Sequence, residues 1–279
     1  MRHSQEPITW SRAWLGDTVS LVRMPNGRFE VAGVKVDAVT LRGTVDRMHQ
    51  WIQEGRREYI VLLGAHGVVE MQTDRELREL NRNAALSTPD GMPLVWLGRA
   101  YGEGEIERVY GPDIMNLEFS LSTQRGHRHY LYGGKPGVAD KLARRITARF
   151  PGVQIAGTYC PPFRPLRAEE EDEQVARINA SRADIVWCGL GCPKQERWMA
   201  RFRPRLEAPV LVGVGAAFDF LAGEKPQAPS WIQRSGLEWA YRAITEPDRL
   251  GKRYMRVVPS FLYLAARDGL SRARATLRR

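Results

Sequence analysis

Short apolar runs alternate along the chain with longer stretches in which apolar residues recur every three or four positions, and this alternation predicts strands separated by helices. The pattern is clearest in the second half. Residues 129–134 (HYLYGG) read as a strand running into glycines, and the following PGVADKLARRITARF puts Val138, Leu142, Ile146 and Phe150 on one helical face. Strands are expected at VQIAGTY, DIVWCGL and PVLVGVG, with helices over 167–182 and 193–202 between them. The front half reads similarly: FEVAGVKVD as a strand or hairpin, a helix over 40–54, EYIVLLG as a strand, and a helix over 68–84. LSTPDG and PLVWLGRAYG follow, then a helix over 112–124.

Connections of helical length between short strands imply right-handed crossovers and a parallel sheet, with ligands beyond the carboxyl ends of the strands. The expected fold class is therefore α/β: a Rossmann-like, mostly parallel sheet with helices on both faces. Its glycine turns at Gly133, at Gly189 and Gly191, and at Gly215 should share one edge. Past Leu237 the pattern becomes two helical stretches broken at Glu246-Pro247 and at Pro259. Tyr254, Val257, Val258, Phe261 and Leu264 form an apolar stripe there, flanked by Arg253 and Arg256. Such a stripe suits an interfacial helix at a membrane surface, and equally a terminal helix packed on its own domain or on another subunit of a homo-oligomer. The expected division is an N-terminal arm over 1–28, a Rossmann-like domain over 29–236 and a basic helical appendage over 237–279.

Charge sharpens the view of that appendage. The chain of 279 residues carries a net +10, and the segment 249–279 holds nine basic residues against one acid, Asp268, so the excess is terminal. On charge alone a basic tail suits nucleic acid, an anionic lipid surface or a diphosphate ligand. The three cysteines, Cys160, Cys188 and Cys192, form neither a CxxC pair nor a Cys/His cluster, which points to a reducing cytosol without a zinc site. Cys188 and Cys192 flank a glycine loop, where they read as packing residues rather than a reactive thiol. The N-terminal segment lacks the apolar core of a secretory signal, and the longest apolar run, over 208–218, is well short of the roughly 20 residues that span a bilayer.

The chemistry concentrates at the strand ends. Gly189, Gly191 and Gly215 are expected to leave backbone amides open to an anion at helix N-termini, with Pro193 as a first helical residue. GLGCPK and GVGAAF each lack the third glycine of a dinucleotide fingerprint, Walker-type GxxxxGK is absent, and no Asp-x-Asp is present to hold a divalent cation. The acidic run EEEDE over 169–173 heads a helix and reads as a solvated face. A departing diphosphate would then be met by arginines, with Arg242, Arg249 and Arg253 as donors. Asp90, in TPDG, reads either as a general base at a cleft or as a turn residue. Asp219 reads as a ribose or base contact or as a helix cap. His66 reads as a pocket residue or a structural histidine.

The ordered motifs TPDG, ERVYGPD, LYGGKPGVA, FPGVQIAGTY, GLGCPKQE, GVGAAFDFLAG, APSWIQRSGLEWAYR and EPDRLGKRY together resemble the WecG/TagA/CpsF family of glycosyltransferases, over about residues 31–254. The resemblance implies inverting transfer of a sugar, without metal or other cofactor, from a UDP-sugar to a polyprenyl-diphosphate-linked sugar on the cytoplasmic face of a membrane. It implies Asp90 as the base, Arg108 and Gln195 in the sugar pocket, Asp219 at the uridine or ribose, and Arg242, Arg249 and Arg253 over the diphosphate. The family commonly has Thr-x-Asn after its second strand, where this chain has Leu62-Leu63-Gly64 followed by Ala65-His66. Two hydrogen-bonding side chains are thereby lost, which changes the demand on the donor sugar, with His66 as the available substitute. The paired prolines of GTYCPPFRPL resemble the exopolysaccharide branch. Two other classes stand beside this one: a nucleotide-cofactor oxidoreductase, suggested by sheet and glycine turns alone, and a nucleic-acid binder, suggested by the tail charge alone.

Overall fold

The computed structural model describes residues 27–277, apart from the side chains of Arg249, Thr276 and Leu277. All but the last two residues of the expected arm lie outside the described residues. Gly27 and Arg28 instead begin β1 (Gly27–Val31), which pairs antiparallel with β2 (Val34–Ala38) across a turn with Ala32 and Gly33 both at positive φ, so FEVAGVKVD is a hairpin.

The body is a six-stranded, wholly parallel sheet built from β3 (Glu58–Leu63), β4 (Leu86–Pro89), β5 (Arg128–Gly133), β6 (Gln154–Tyr159), β7 (Ile185–Gly189) and β8 (Val210–Gly213). The spatial order is β4-β3-β8-β7-β5-β6. Alternation along the strands sends side chains to two cores. Ile60, Leu62, Leu131, Trp187, Val210 and Val212 pack beneath α1 (Leu41–Glu54), α5 (Gly111–Arg125) and α6 (Val138–Arg149). Tyr59, Val61, Tyr132, Val186 and Leu211 pack against α3 (Arg75–Asn83), α7 (Ala168–Ala180) and α8 (Lys194–Phe202) on the other face. The hairpin covers the β4 edge: buried Asp37 accepts from Ser87 N at 2.7 Å, and Lys35 donates to Ala84 O at 2.6 Å.

Several expectations change. The helix expected over 68–84 is two, α2 (Ala65–Glu70) and α3, because the Asp74 carboxylate accepts from Leu77 N at 2.9 Å and starts a new helix. PLVWLGRAYG contributes α4 (Met92–Ala100), and short helices α9 (Ala217–Leu221) and α10 (Ser230–Arg234) follow β8. Beyond them come α11 (Glu238–Thr245), a π-helical turn (Pro247–Gly251) and α12 (Lys252–Leu277). Pro259 does not break α12: it sits on the exposed side, while Val257, Phe261 and Leu264 are buried on the opposite side and anchor both flanks. The terminal helix packs along α2, with an ion pair from Arg256 to Glu70, and Tyr101 donates to Asp268 at 2.9 Å. The EEEDE run is not simply solvated. Glu170 accepts from Arg167 N at 2.9 Å at the start of α7 and takes two bonds from Arg164, and Glu171 is buried against Arg201 at 2.9 Å. No helix among the described residues is long and apolar enough to cross a membrane.

Candidate active site

Because every strand of the main sheet points the same way, the turns after β3, β4, β5, β7 and β8 line one edge. Two strands there, β5 and β7, are neighbours from which the chain departs in opposite directions. Their backbones meet at Gly133 and Gly189: a Cβ on Gly133 would stand 2.8 Å from the Gly189 carbonyl carbon, and one on Gly189 would stand 2.8 Å from the Phe218 ring. Gly134 N donates to Gly189 O at 3.1 Å. These glycines serve close backbone packing.

The expectation of open amides at Gly191 and Gly215 is corrected. Gln195 turns its carboxamide oxygen into both loops, accepting from Gly191 N at 3.2 Å and Gly215 N at 2.9 Å, and its amide donates to Glu196 at 3.1 Å. Gln195 is buried and clamps the β7 and β8 loops together. Pro193 lies at the cap position and Lys194 starts α8. Burial raises the Glu196 carboxyl above its usual range and the Cys188 and Cys192 thiols well above theirs, which fits both cysteines as packing residues.

Asp90 follows β4 directly, its backbone tied to Leu63 O at 2.9 Å, and its carboxylate accepts from Gly111 N at the start of α5. Burial, and then the charge of Glu238, push this carboxyl up to about 7, against the opposing pull of Arg108, Arg242 and the Gly111 N–H. His66 lies beside it. A side chain built at Gly64 would begin 3.0 Å from His66 Nδ1 and 3.8 Å from an Asp90 carboxylate oxygen, so the glycine leaves room that the imidazole uses. Burial, with Arg253 and Arg242 next in effect, lowers His66 to about 3 and keeps it neutral.

The closing segment is docked on this edge. Arg108 is largely enclosed: it donates to Glu238 at 3.1 Å, Gln233 at 2.7 Å and Asp113 at 3.3 Å, and its guanidinium lies over the Tyr110 ring at 4.3 Å. Tyr110 donates to Glu238 at 2.8 Å. Arg242 lies over Phe220 at 5.5 Å, 3.9 Å from Glu246, and its buried Nε has no hydrogen-bond partner among the described residues. Arg253 is close enough to bias both His66 and Cys192. The side chain of Arg249 lies outside the described residues, in the π-helical turn between these two arginines. Asp219, in α9, bonds Lys225 at 3.1 Å, and Lys225 in turn bonds Glu246 at 2.8 Å.

Of the residues expected at the site, Asp90, His66, Arg108, Arg242 and Arg253 thus gather at one end of the edge. Gln195, Gly191 and Gly215 stand beside them as a braced loop pair, and Asp219 is held at the next turn. Glu238, Tyr110, Gln233 and Lys225 were not anticipated. The motifs ERVYGPD and APSWIQRSGLEWAYR contain three of them, Tyr110, Gln233 and Glu238, but no spacing could signal that positions so far apart meet. Among the described residues no three carboxylate, histidine or cysteine side chains are grouped to hold a metal ion. A family model described as "Glycosyl transferase WecG/TagA/CpsF family" matches residues 29–275.

Proposed function

Because the chain belongs to the WecG/TagA/CpsF family of glycosyltransferases, we propose that it is an inverting, metal-independent enzyme moving a hexose or N-acetylhexosamine-type sugar from a UDP-sugar to a polyprenyl-diphosphate-linked sugar in surface or exopolysaccharide assembly. It would work at the cytoplasmic face of the membrane, with the basic tail toward anionic lipid. The observation that carries this reading is Asp90 within the field of Arg242, with Arg253 acting on His66 beside it. In one displacement the acceptor hydroxyl gives its proton to Asp90, its oxygen bonds the anomeric carbon, and the bond from that carbon to the diphosphate breaks. A carboxyl poised near neutrality is well matched to the first event, and guanidinium donors to the last. Asp219 would hold the uridine or ribose, Arg108, Gln195 and His66 would line the sugar and acceptor space, and Arg249 would join the diphosphate clamp.

The test is a panel of UDP-sugars incubated with a synthetic lipid-diphosphate-linked sugar, with and without EDTA, and read by product mass. A sugar-extended product that survives chelation is expected. Turnover that disappears with EDTA and returns with manganese would overturn the mechanism.

A further inference from the structure

Glu238 belongs to α11, yet both of its carboxylate oxygens are engaged by the body: one accepts from Arg108 at 3.1 Å and the other from Tyr110 at 2.8 Å. A carboxylate placed at the mouth of a site for an anionic donor is electrostatically unfavourable for binding, so its position calls for another use. Arg108 supplies one. Its guanidinium stands in the same cleft as Asp90 and would be that carboxylate's natural partner. The donors go elsewhere: Nη1 to Glu238, Nη2 to Gln233 and Asp113, and among the described residues no ion pair joins Arg108 to Asp90. An aspartate locked to an arginine is a poor proton acceptor, because the pairing stabilises the ionised form it starts from.

Resting on the reading of Asp90 as the base, we propose that Glu238 is a positioning residue for the proton transfer: docked between Arg108 and Tyr110, it diverts the guanidinium and leaves the Asp90 carboxylate free to take the acceptor proton. The closing segment then does more than cover the diphosphate. Its docking also prepares the opposite side of the cleft, so a body without α11 would hold its base paired and inert. The groups facing Asp90 are Glu238 and Arg242 from α11, Arg108 and Tyr110 from the segment before α5, the Gly111 N–H of α5, and His66 of α2, with Asp113 on the Arg108–Glu238 pair and Arg253 of α12 acting on the imidazole.

The experiment is a carbon-13 NMR titration of aspartate carboxyls in the full chain, with the Asp90 signal assigned by its absence in D90N. In E238Q, which keeps an oxygen for Tyr110, the Asp90 midpoint should fall by about one pH unit or more. Loss of the Glu238 charge lowers the midpoint by itself, so E238Q is also made in R108Q: a guanidinium released onto Asp90 makes the fall clearly larger with Arg108 present than without it, and an equal fall in both backgrounds would overturn the proposal. Y110F, which leaves the Glu238–Arg108 pair in place, should hold the midpoint while loosening α11. With a UDP-sugar that the wild type turns over, the acid limb of kcat/KM in E238Q should move down in parallel. An unmoved Asp90 midpoint in a folded E238Q, or equal effects of E238Q and Y110F, would make Glu238 a mere anchor and overturn the proposal. Full transfer by D90N would instead remove the base and the proposal with it, and the two failures are told apart by which variant shows them.

Discussion

Replacing Asp90 with Asn should make the protein more stable at neutral pH and less so in comparison as the pH falls. The reasoning is linkage. Folding moves the Asp90 carboxyl from an ordinary value of 3.8 up to about 7, so the native state holds this proton more tightly than the unfolded chain does. Below pH 4 both states are protonated and the residue contributes nothing. As pH rises through the window from about 4 to about 7 the native state must give up a proton it favours, and stability falls, with the full cost present above the folded value. Three units would correspond to about 4 kcal/mol as an upper bound. Asp90 keeps some access to water at the cleft, so about 1–2 kcal/mol is the expected size. Asn retains an oxygen for the Gly111 N–H and carries no charge to desolvate. Urea denaturation of wild type and D90N from pH 4 to 8 would show the two converging near pH 4 and D90N ahead by that amount at pH 8, or about 2–8 °C in Tm. A D90N variant equal to or weaker than wild type at pH 8, or ahead by the same margin at every pH, would refute the claim that burial holds this carboxyl out of its normal range.

Other perturbations follow the same contacts. Gln195→Met should cost about 2–4 kcal/mol, because it strands the Gly191 and Gly215 amides and removes the tie to Glu196; a wild-type melting curve would show that the clamp is dispensable. Arg242→Ala and Arg253→Ala should each lower kcat/KM by about a hundredfold, with no rescue by added manganese, as expected for groups that stabilise the leaving diphosphate. Phe261→Ala should destabilise by about 3 kcal/mol and speed hydrogen exchange in α2 as well as α12, since the two pack together; exchange changes confined to α12 would argue against that docking.

Much of this fold could be read from patterning because a parallel sheet buries its strands on both faces, and such strands stand out as the continuous apolar runs at β3, β5, β7 and β8. The shared edge of the glycine turns follows from that topology, and so does the strand-end placement of Asp90. What escaped reading was set by tertiary contact. The chain at 68–84 keeps helical periodicity across its break, and only the Asp74 side chain turning onto Leu77 shows where α3 begins. Pro259 reads as a stop, yet burial of Val257 and Phe261 on either side outweighs the single backbone bond it removes. Gln195 reads as a pocket residue, and its bonds to the Gly191 and Gly215 amides are tertiary contacts that no local pattern shows. Glu238 and Arg108 meet across more than a hundred residues, and charge pairs of that kind leave no periodic trace.

The central claim is that Asp90 takes the acceptor proton opposite a guanidinium clamp. It is tested most directly by the pH dependence of kcat/KM for wild type and D90N, using a UDP-sugar and a synthetic lipid-diphosphate acceptor. The wild type should show an acid limb with a midpoint of about 7, and D90N should be at least a thousandfold slower with no such limb. Transfer by a folded D90N within tenfold of wild type, with the limb intact, would contradict it.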